Sequence, residues 1–218
     1  MLKSLFPQVN WDHVQAVGFD LDGTLYDEFE FIVQVYRPIA ECIALVCRAD
    51  IDGIYNRILW RWLEKGSSYN QIFDEVLLDY GIQEDCRNST ISVCLSIYRN
   101  FDPRLVLPER MRSLLNYCFG KYEMFIITDG SLGLQKKKFE ALGLSNWFND
   151  ENVFISGSYG PEYQKPAILI LPELGFLNHI KKYEVVFFGD RDIDQYFADK
   201  AGFNFLKLKY FSTSDLLK

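Results

Sequence analysis

Short runs of consecutive apolar residues alternate with stretches of helical periodicity along much of the chain. A strand that is apolar at every position is covered on both faces, as in a parallel sheet flanked by helices. Because these runs alternate with amphipathic segments, the pattern predicts a doubly wound α/β fold. The predicted strands are 16–19, 124–128, 153–156, 185–189 and 205–208, and the predicted helices among them are 109–119, 133–142, 167–174 and 193–201.

Residues 27–102 interrupt this alternation, because several helical patterns follow one another there without a strand-like run. Turn-forming breaks such as Gly66-Ser67 and Gly81 separate the helical patterns. We therefore predict a core domain made of residues 1–26 and 103–218, and an inserted helical domain at 27–102. The helices predicted within the insert are 29–48, 52–66, 68–80 and 88–101.

The composition narrows the class of protein. Hydrophobic residues make up 49% of the 218 residues and aromatic residues 16%, which is enough for a sizeable core. The 23 Lys and Arg against 30 Asp and Glu give a net charge of −7, so we expect no general attraction to nucleic acid or to anionic membrane. No apolar run approaches the roughly 18 residues of a membrane span, so we expect no membrane association.

Cysteine and histidine usage argues against a disulfide framework and against a zinc site. The five cysteines are odd in number and lack CxxC spacing, and the chain has two histidines. We expect reduced, mostly buried thiols in a cytoplasmic protein. His13 and His179 are expected to be structural or on the surface, and Arg110, Arg112 and residues 136–138 to lie on solvated helix faces.

Polar residues follow four of the predicted strands at the point where each strand ends. The segment DLDGT begins at Asp20 directly after the first strand, and Thr128 closes the second. Lys165 lies in the loop after the third strand, and Asp190 follows the fourth. Because ligands bind at the carboxyl ends of the strands in a doubly wound sheet, we expect these side chains to converge on one site.

The residue types at these positions indicate phosphoryl chemistry. Several carboxylates at one edge repel one another unless a cation neutralises them, and hard oxygen ligands favour Mg²⁺. A metal, a threonine hydroxyl and a lysine together suit a phosphoryl group whose charge grows during transfer. Asp20 and Asp22 can both face the site, where one can act as nucleophile and the other as general acid or base.

The DLDGT segment, followed in order by Thr128, Lys165 and Gly189-Asp190, resembles the motifs of the haloacid dehalogenase (HAD) superfamily. The resemblance spans Asp20 to Gly202, and the helical insert corresponds to the cap of that family. It implies a Rossmann-like core with an inserted cap, which closes over the site and selects the substrate. It also implies a Mg²⁺-dependent phosphatase that acts on a small phosphomonoester. For its assembly we expect a monomer or a homodimer.

The resemblance assigns a role to each motif residue. Asp20 would attack phosphorus to form an aspartyl-phosphate, and Asp22 would protonate the leaving alcohol and later activate water. Mg²⁺ would be held by the Asp20 carboxylate, the Asp22 backbone carbonyl and the Asp190 carboxylate. Thr128 would donate to a phosphoryl oxygen, and Lys165 would balance charge between the nucleophile and the phosphate. The residues assigned to the phosphate site are Thr128, Asp129, Gly130 and Lys165.

Two positions depart from the commonest family pattern. A second acid usually lies five residues after the first, whereas Asp194 lies four after Asp190. We assign Asp194 to orienting Lys165 or a metal-bound water, with Asp192 as its rival for that role. Position 129 is Asp where Asn is common, and the role of Asp129 beyond the phosphate site is left open.

Asp22 favours phosphoryl transfer over dehalogenation, because an alkoxide leaving group needs a proton and a halide does not. A phosphomutase of the same superfamily is the alternative enzyme. A non-catalytic binding protein on the same scaffold is a further alternative, although such proteins usually lose the nucleophile or a metal ligand. A phosphoacceptor signalling domain is disfavoured, because it predicts a shorter chain without the insert and without an acid two residues after the nucleophile.

Overall fold

The computed structural model describes residues 2–208 and 210, which divide into two compact units. An α/β unit contains residues 2–28, 105–208 and 210, and a helical unit contains residues 29–104. The helical unit begins and ends within two residues of the predicted insert, 27–102. The helices are α1 (Leu2–Leu5), α2 (Glu28–Cys47), α3 (Ile51–Lys65), α4 (Ile72–Asp79), α5 (Glu84–Asn100), α6 (Glu109–Cys118), α7 (Leu132–Ala141) and α8 (Asp192–Ala201).

The α/β unit is built on a five-stranded sheet in which every neighbouring pair is parallel. The strand order is β3-β2-β1-β4-β5, so the sheet grows in opposite directions on the two sides of β1. This arrangement confirms the predicted α/β fold. The strands are β1 (Ala16–Phe19), β2 (Glu123–Thr128), β3 (Val153–Ile155), β4 (Val185–Gly189) and β5 (Asn204–Lys207).

The continuous apolar runs are explained by burial on both faces of the sheet. Every residue of β1 and β4 is buried. Neighbouring residues point to opposite faces, so Phe19 and Phe188 stack on one face with centroids 5.2 Å apart. Phe187 packs edge-on against Phe197 of α8 on the other face, also at 5.2 Å. Both faces therefore have an aromatic core that fixes the strand ends in place.

The prediction of a helix at 167–174 is wrong. The chain forms two 3₁₀ turns in this region, at Leu171–Glu173 and Gly175–His179. Pro172 lacks the backbone N–H that would bond within an α-helix, and Gly175, where the second 3₁₀ turn begins, is a poor helix former. Ile170 and Leu174 are nevertheless buried, so the apolar spacing indicated the buried positions correctly, although the backbone is not an α-helix.

The helical unit is packed largely through aromatic side chains. Phe31 of α2 meets Tyr98 of α5 edge-on at 5.2 Å, and Tyr36 of α2 packs against Phe73 of α4 at 5.7 Å. Helix α4 begins later than predicted and α5 begins earlier. Among the described residues, no helix has both the length and the apolar character needed to cross a membrane.

The cysteines are less buried than expected. None of the five forms a disulfide, but only Cys94 and Cys118 are buried, and Cys86 is exposed. Burial raises the pKa of the Cys118 thiol to about 12. Both histidines lie at exposed positions, in agreement with their surface prediction.

Candidate active site

The candidate site lies at the carboxyl ends of three adjacent strands. Asp20 directly follows β1, Thr128 is the last residue of β2, and Asp190 directly follows β4. Strand β1 pairs with β2 on one side and with β4 on the other, so these three positions are neighbours across the sheet. The direction of strand addition reverses between β1 and β4, and doubly wound folds bind ligands at the carboxyl ends of the strands at such a point.

Asp20 and Asp194 share one buried lysine. Lys165 Nζ lies 2.5 Å from Asp20 Oδ1 and 2.5 Å from Asp194 Oδ1, and all three side chains are inaccessible to solvent. Burial alone would lower the pKa of Lys165, but the two carboxylates outweigh it and raise that pKa above its usual value. Burial raises the pKa of Asp20, against the opposing charge of Lys165. The lysine therefore remains charged.

The structure brings Asp194, and not Asp192, into the site. Asp194 is fully buried, and its second oxygen accepts a hydrogen bond from the backbone N–H of Arg191 at 3.1 Å. The Asp192 side chain is 76% exposed and forms an ion pair with Lys207 at 2.6 Å. Both residues lie in the first turn of α8, where they point in different directions.

Asp190 completes a cluster of carboxylates. Burial, followed by the nearby charge of Asp20, raises the pKa of Asp190 to about 8. The Thr24 hydroxyl lies 3.4 Å from Asp20 Oδ2 and 3.5 Å from Asp190 Oδ1. Gly23, between the two aspartates of DLDGT and this threonine, has a φ of +74°, and a Cβ there would overlap the Asp190 carboxylate. A glycine at this position therefore lets the chain turn tightly against the Asp190 carboxylate.

These carboxylates have the donor chemistry of a divalent cation site. One oxygen from each of Asp20, Asp190 and Asp194 lies within 4.8 Å of the others. Both oxygens of Asp194 already accept hydrogen bonds, from Lys165 and from the backbone of Arg191, whereas Asp20 gives one oxygen to Lys165. Asp20 and Asp190 are therefore the better candidates to hold an ion. A cation there would offset the repulsion that raises the pKa of Asp190.

Asp22 occupies a different environment from Asp20. Its Oδ1 lies 2.7 Å from Lys138 Nζ and also accepts a hydrogen bond from the Tyr26 hydroxyl, and its Oδ2 lies 2.8 Å from Gln135 Nε2. Burial raises the pKa of Asp22, but Lys138 and the hydrogen bonds outweigh burial and hold it below its usual value. Asp22 is therefore a carboxylate surrounded by donors.

Lys138 and Gln135 are site residues that the sequence analysis missed. Residues 136–138 were expected on a solvated helix face, and for Lys138 this is wrong, since only 2% of it is exposed. Lys136 does lie on the exposed face. A signal was present in the sequence: Gln135 and Lys138 are three residues apart, hence on one helix face, in a helix that begins close after Thr128.

The last residue of β2 and the segment after it contain the remaining residues predicted for the phosphate site. Thr128 is buried, and its Oγ1 accepts a hydrogen bond from Gln135 Nε2 at 2.6 Å. Asp129 Oδ1 accepts from the backbone N–H of Lys165 at 3.2 Å, so it secures the loop that carries the lysine. Gly130 has a φ of +127°, a conformation that favours glycine.

With this geometry in place, comparison with known proteins identifies the family. Residues 17–208 match the family model described as haloacid dehalogenase-like hydrolase. The chain belongs to this family. The resemblance inferred from the sequence motifs is thereby confirmed, and so is the prediction that the protein is a hydrolase.

Individual relatives of this HAD-like hydrolase cover most of its length. A glyceraldehyde 3-phosphate phosphatase from Methanocaldococcus jannaschii is 28% identical over 191 residues, which cover 82% of this chain and 77% of the relative. A subfamily IA HAD hydrolase from Geobacter sulfurreducens superposes with a TM-score of 0.64 at 22% identity, covering 89% of this chain and 87% of the other. A protein from Thermotoga maritima, assigned as a β-phosphoglucomutase, gives a TM-score of 0.62 at 18% identity, with coverages of 94% and 91%.

Proposed function

We propose that this HAD-like hydrolase is a Mg²⁺-dependent phosphatase that cleaves a small phosphomonoester through an aspartyl-phosphate on Asp20. The observation that carries the proposal is the contrast between two aspartates of one short loop. Asp20 is paired with Lys165 and lies beside Asp190, whereas the Asp22 carboxylate is surrounded by hydrogen-bond donors. Carboxyl groups held in such different environments are suited to different catalytic roles. The phosphatase activity of the M. jannaschii relative supports the same conclusion.

In the first step, an Asp20 carboxylate oxygen attacks phosphorus and forms the new P–O bond. The bond between phosphorus and the substrate alcohol breaks, and its electron pair leaves on the alcohol oxygen, which takes a proton from the protonated form of Asp22. Asp22, ionised at rest, takes up this proton before the step, and it regains a proton from water in the second step. Lys165 holds Asp20 in place by its 2.5 Å ion pair, and Asp194 holds Lys165. Thr128 donates to a phosphoryl oxygen.

In the second step, Asp22 removes a proton from a water molecule, and the water oxygen attacks phosphorus. The P–O bond to Asp20 breaks, its electron pair returns to the Asp20 carboxylate, and inorganic phosphate leaves. Mg²⁺, when held by the carboxylates of Asp20 and Asp190 and the backbone carbonyl of Asp22, supplies positive charge that neutralises the transferring phosphoryl group.

The helical unit, residues 29–104, is proposed to act as the cap that admits the substrate and excludes water. Glyceraldehyde 3-phosphate is a candidate substrate because the M. jannaschii relative is a glyceraldehyde 3-phosphate phosphatase. The proposed phosphatase would act in the cytoplasm on a small molecule. A phosphomutase remains the alternative, and it would yield an isomeric phosphoester without net release of phosphate.

The test is phosphate release by purified protein over a panel of phosphomonoesters, with Mg²⁺ and with EDTA. We expect Mg²⁺-dependent release, and we expect Asp20→Asn to reduce turnover by at least about 10⁴-fold, as removal of a nucleophile does. Asp192→Asn is the matched control, since Asp192 is exposed and bonds Lys207, and it should retain wild-type turnover. Undiminished turnover by Asp20→Asn would refute the nucleophile assignment.

A further inference from the structure

Three hydrogen-bond donors from two segments of the α/β unit converge on the Asp22 carboxylate. Lys138 and Gln135 reach it from α7, and Tyr26 reaches it from the segment after β1. All three donors are almost inaccessible to solvent, with exposed fractions of 2%, 2% and 0%. The desolvation cost of a buried ion pair can exceed the attraction between its charges, so such a pair is weak evidence for stability, and a role in the site is the alternative explanation.

Gln135 joins this carboxylate to the threonine that ends β2. Its Nε2 lies 2.8 Å from Asp22 Oδ2 and 2.6 Å from Thr128 Oγ1. An ionised carboxylate only accepts hydrogen bonds, so the end of the amide that faces Asp22 is the nitrogen, which has two hydrogens to donate. Because Thr128 accepts from Gln135, the threonine's own proton can be donated elsewhere.

The direction of that proton matters for the reaction. Among the described residues, Thr128 Oγ1 also lies 3.5 Å from the Asp129 carbonyl oxygen, a distance too long for a strong hydrogen bond. A phosphoryl oxygen at the carboxyl end of β2 would be a better acceptor. One amide side chain therefore fixes both the orientation of Asp22 and the donor direction of Thr128.

We propose that Gln135 and Lys138 are positioning residues for the reaction, Lys138 acting through Asp22 and Gln135 acting through both Asp22 and Thr128. Neither side chain is proposed to touch the substrate. Together with Tyr26 they hold the Asp22 carboxyl group beside the phosphate-binding threonine, so that proton transfer and phosphate binding are aligned by one helix. This inference rests on the proposed phosphatase function and extends it to α7.

The test uses two substrates that differ in their need for a proton. Cleavage of an alkyl phosphate such as glyceraldehyde 3-phosphate requires protonation of the leaving oxygen, whereas p-nitrophenolate leaves without it. The ratio kcat/KM reports steps up to departure of the leaving group, so it isolates the acid role of Asp22. We expect Lys138→Met to lower kcat/KM about 10²-fold for the alkyl phosphate and much less for p-nitrophenyl phosphate.

A double-mutant cycle separates positioning from a merely structural effect. In an Asp22→Asn background, Lys138→Met should cause little further loss on the alkyl phosphate, because the group through which Lys138 acts is already absent. Lys136→Met, an exposed position on the same helix, is the matched control and should match wild type on both substrates.

Gln135→Met is a second variant that leaves the Lys138–Asp22 ion pair intact, so it tests the inference even if Lys138→Met does not fold. We expect kcat/KM to fall on both substrates, because Thr128 loses the hydrogen bond that Gln135 donates to it. The larger fall is expected on the alkyl phosphate. Equal losses by Lys138→Met on the two substrates, an undiminished loss in the Asp22→Asn background, or wild-type rates for Gln135→Met would each overturn the inference alone. If the wild-type protein releases no phosphate from any alkyl phosphate of the panel or from p-nitrophenyl phosphate, the proposed function itself fails, and the inference fails with it.

Discussion

At the scale of single residues, charge and burial give two neighbouring aspartates different properties. Asp20 is buried with Lys165 between it and Asp194, and burial keeps its pKa above the usual value. Asp22, two residues later, has its pKa lowered because Lys138 and two hydrogen bonds outweigh burial. The opposite directions of these two pKa shifts follow from burial and from the side chains around each carboxylate, and not from the loop that both aspartates share.

Gly23 is the residue whose substitution tests this local geometry most directly. We expect Gly23→Ala to lower stability and to reduce Mg²⁺-dependent activity, because the new Cβ would overlap the Asp190 carboxylate at a φ of +74°. Gly120→Ala is the control: its φ is +72°, but a Cβ there has nothing within 4 Å. Backbone strain should cost both variants about 1–3 kcal/mol in urea unfolding. Equal activity in the two variants would contradict the overlap.

At the scale of elements, close packing in the centre of the sheet limits what β1 can contain. A Cβ at Gly18 would overlap the rings of Phe125 and Phe187, which come from the strands on either side of β1. The absence of a side chain at this position lets two aromatic rings meet above the central strand. Close packing does not require the glycine in α7, since a Cβ at Gly133 would have nothing within 4 Å.

Alanine at these two glycines should therefore change stability in opposite directions. We expect Gly18→Ala to lower the free energy of unfolding by about 1–3 kcal/mol, as overpacking of a core does. We expect Gly133→Ala to raise it by up to about 1 kcal/mol, because alanine has the higher helix propensity. Urea unfolding at fixed pH measures both, and a neutral Gly18→Ala would show that the sheet relaxes around the added methyl group.

At the scale of the whole molecule, the carboxylate cluster links folding to pH and to metal. In the metal-free protein the pKa of Asp190 is about 8, against about 3.9 in an unfolded chain. Between these values the folded state holds a proton that the unfolded state has released, so stability falls as pH rises through this window. The raised pKa of Asp20 acts in the same direction.

Thermal unfolding in EDTA should therefore show a Tm that falls by several degrees from pH 5 to pH 8. Mg²⁺ favours the ionised carboxylates, so its addition should raise Tm more at pH 8 than at pH 5. Asp190→Asn should flatten the pH dependence in EDTA and reduce the Mg²⁺ effect. A Tm in EDTA that rises over this range, with the same slope in Asp190→Asn, would contradict the role given to Asp190.

The sequence by itself determined the sheet and the residues at its carboxyl ends. Strands β1, β3 and β4 are uninterrupted apolar runs, and Asp20, Thr128 and Asp190 lie within one residue of a strand end, so their convergence follows from parallel topology. These predictions depend only on neighbours in the chain and on the way strands pair. The helix predicted at 167–174 failed for a reason also present in the sequence, since Pro172 disfavours the interior of an α-helix.

Only the tertiary structure decided which charged side chains face the site. Lys138 contacts Asp22 across 116 residues of sequence. Its spacing from Gln135 places the two on one helix face, but the sequence does not show that this face is buried while that of Lys136 is exposed. Asp194 was separated from Asp192 in the same way, because the orientation of α8 buries one carboxylate against Lys165 and exposes the other. Residues close together on a helix differ in burial because the packing of that helix against the sheet, set by distant residues, fixes its rotation.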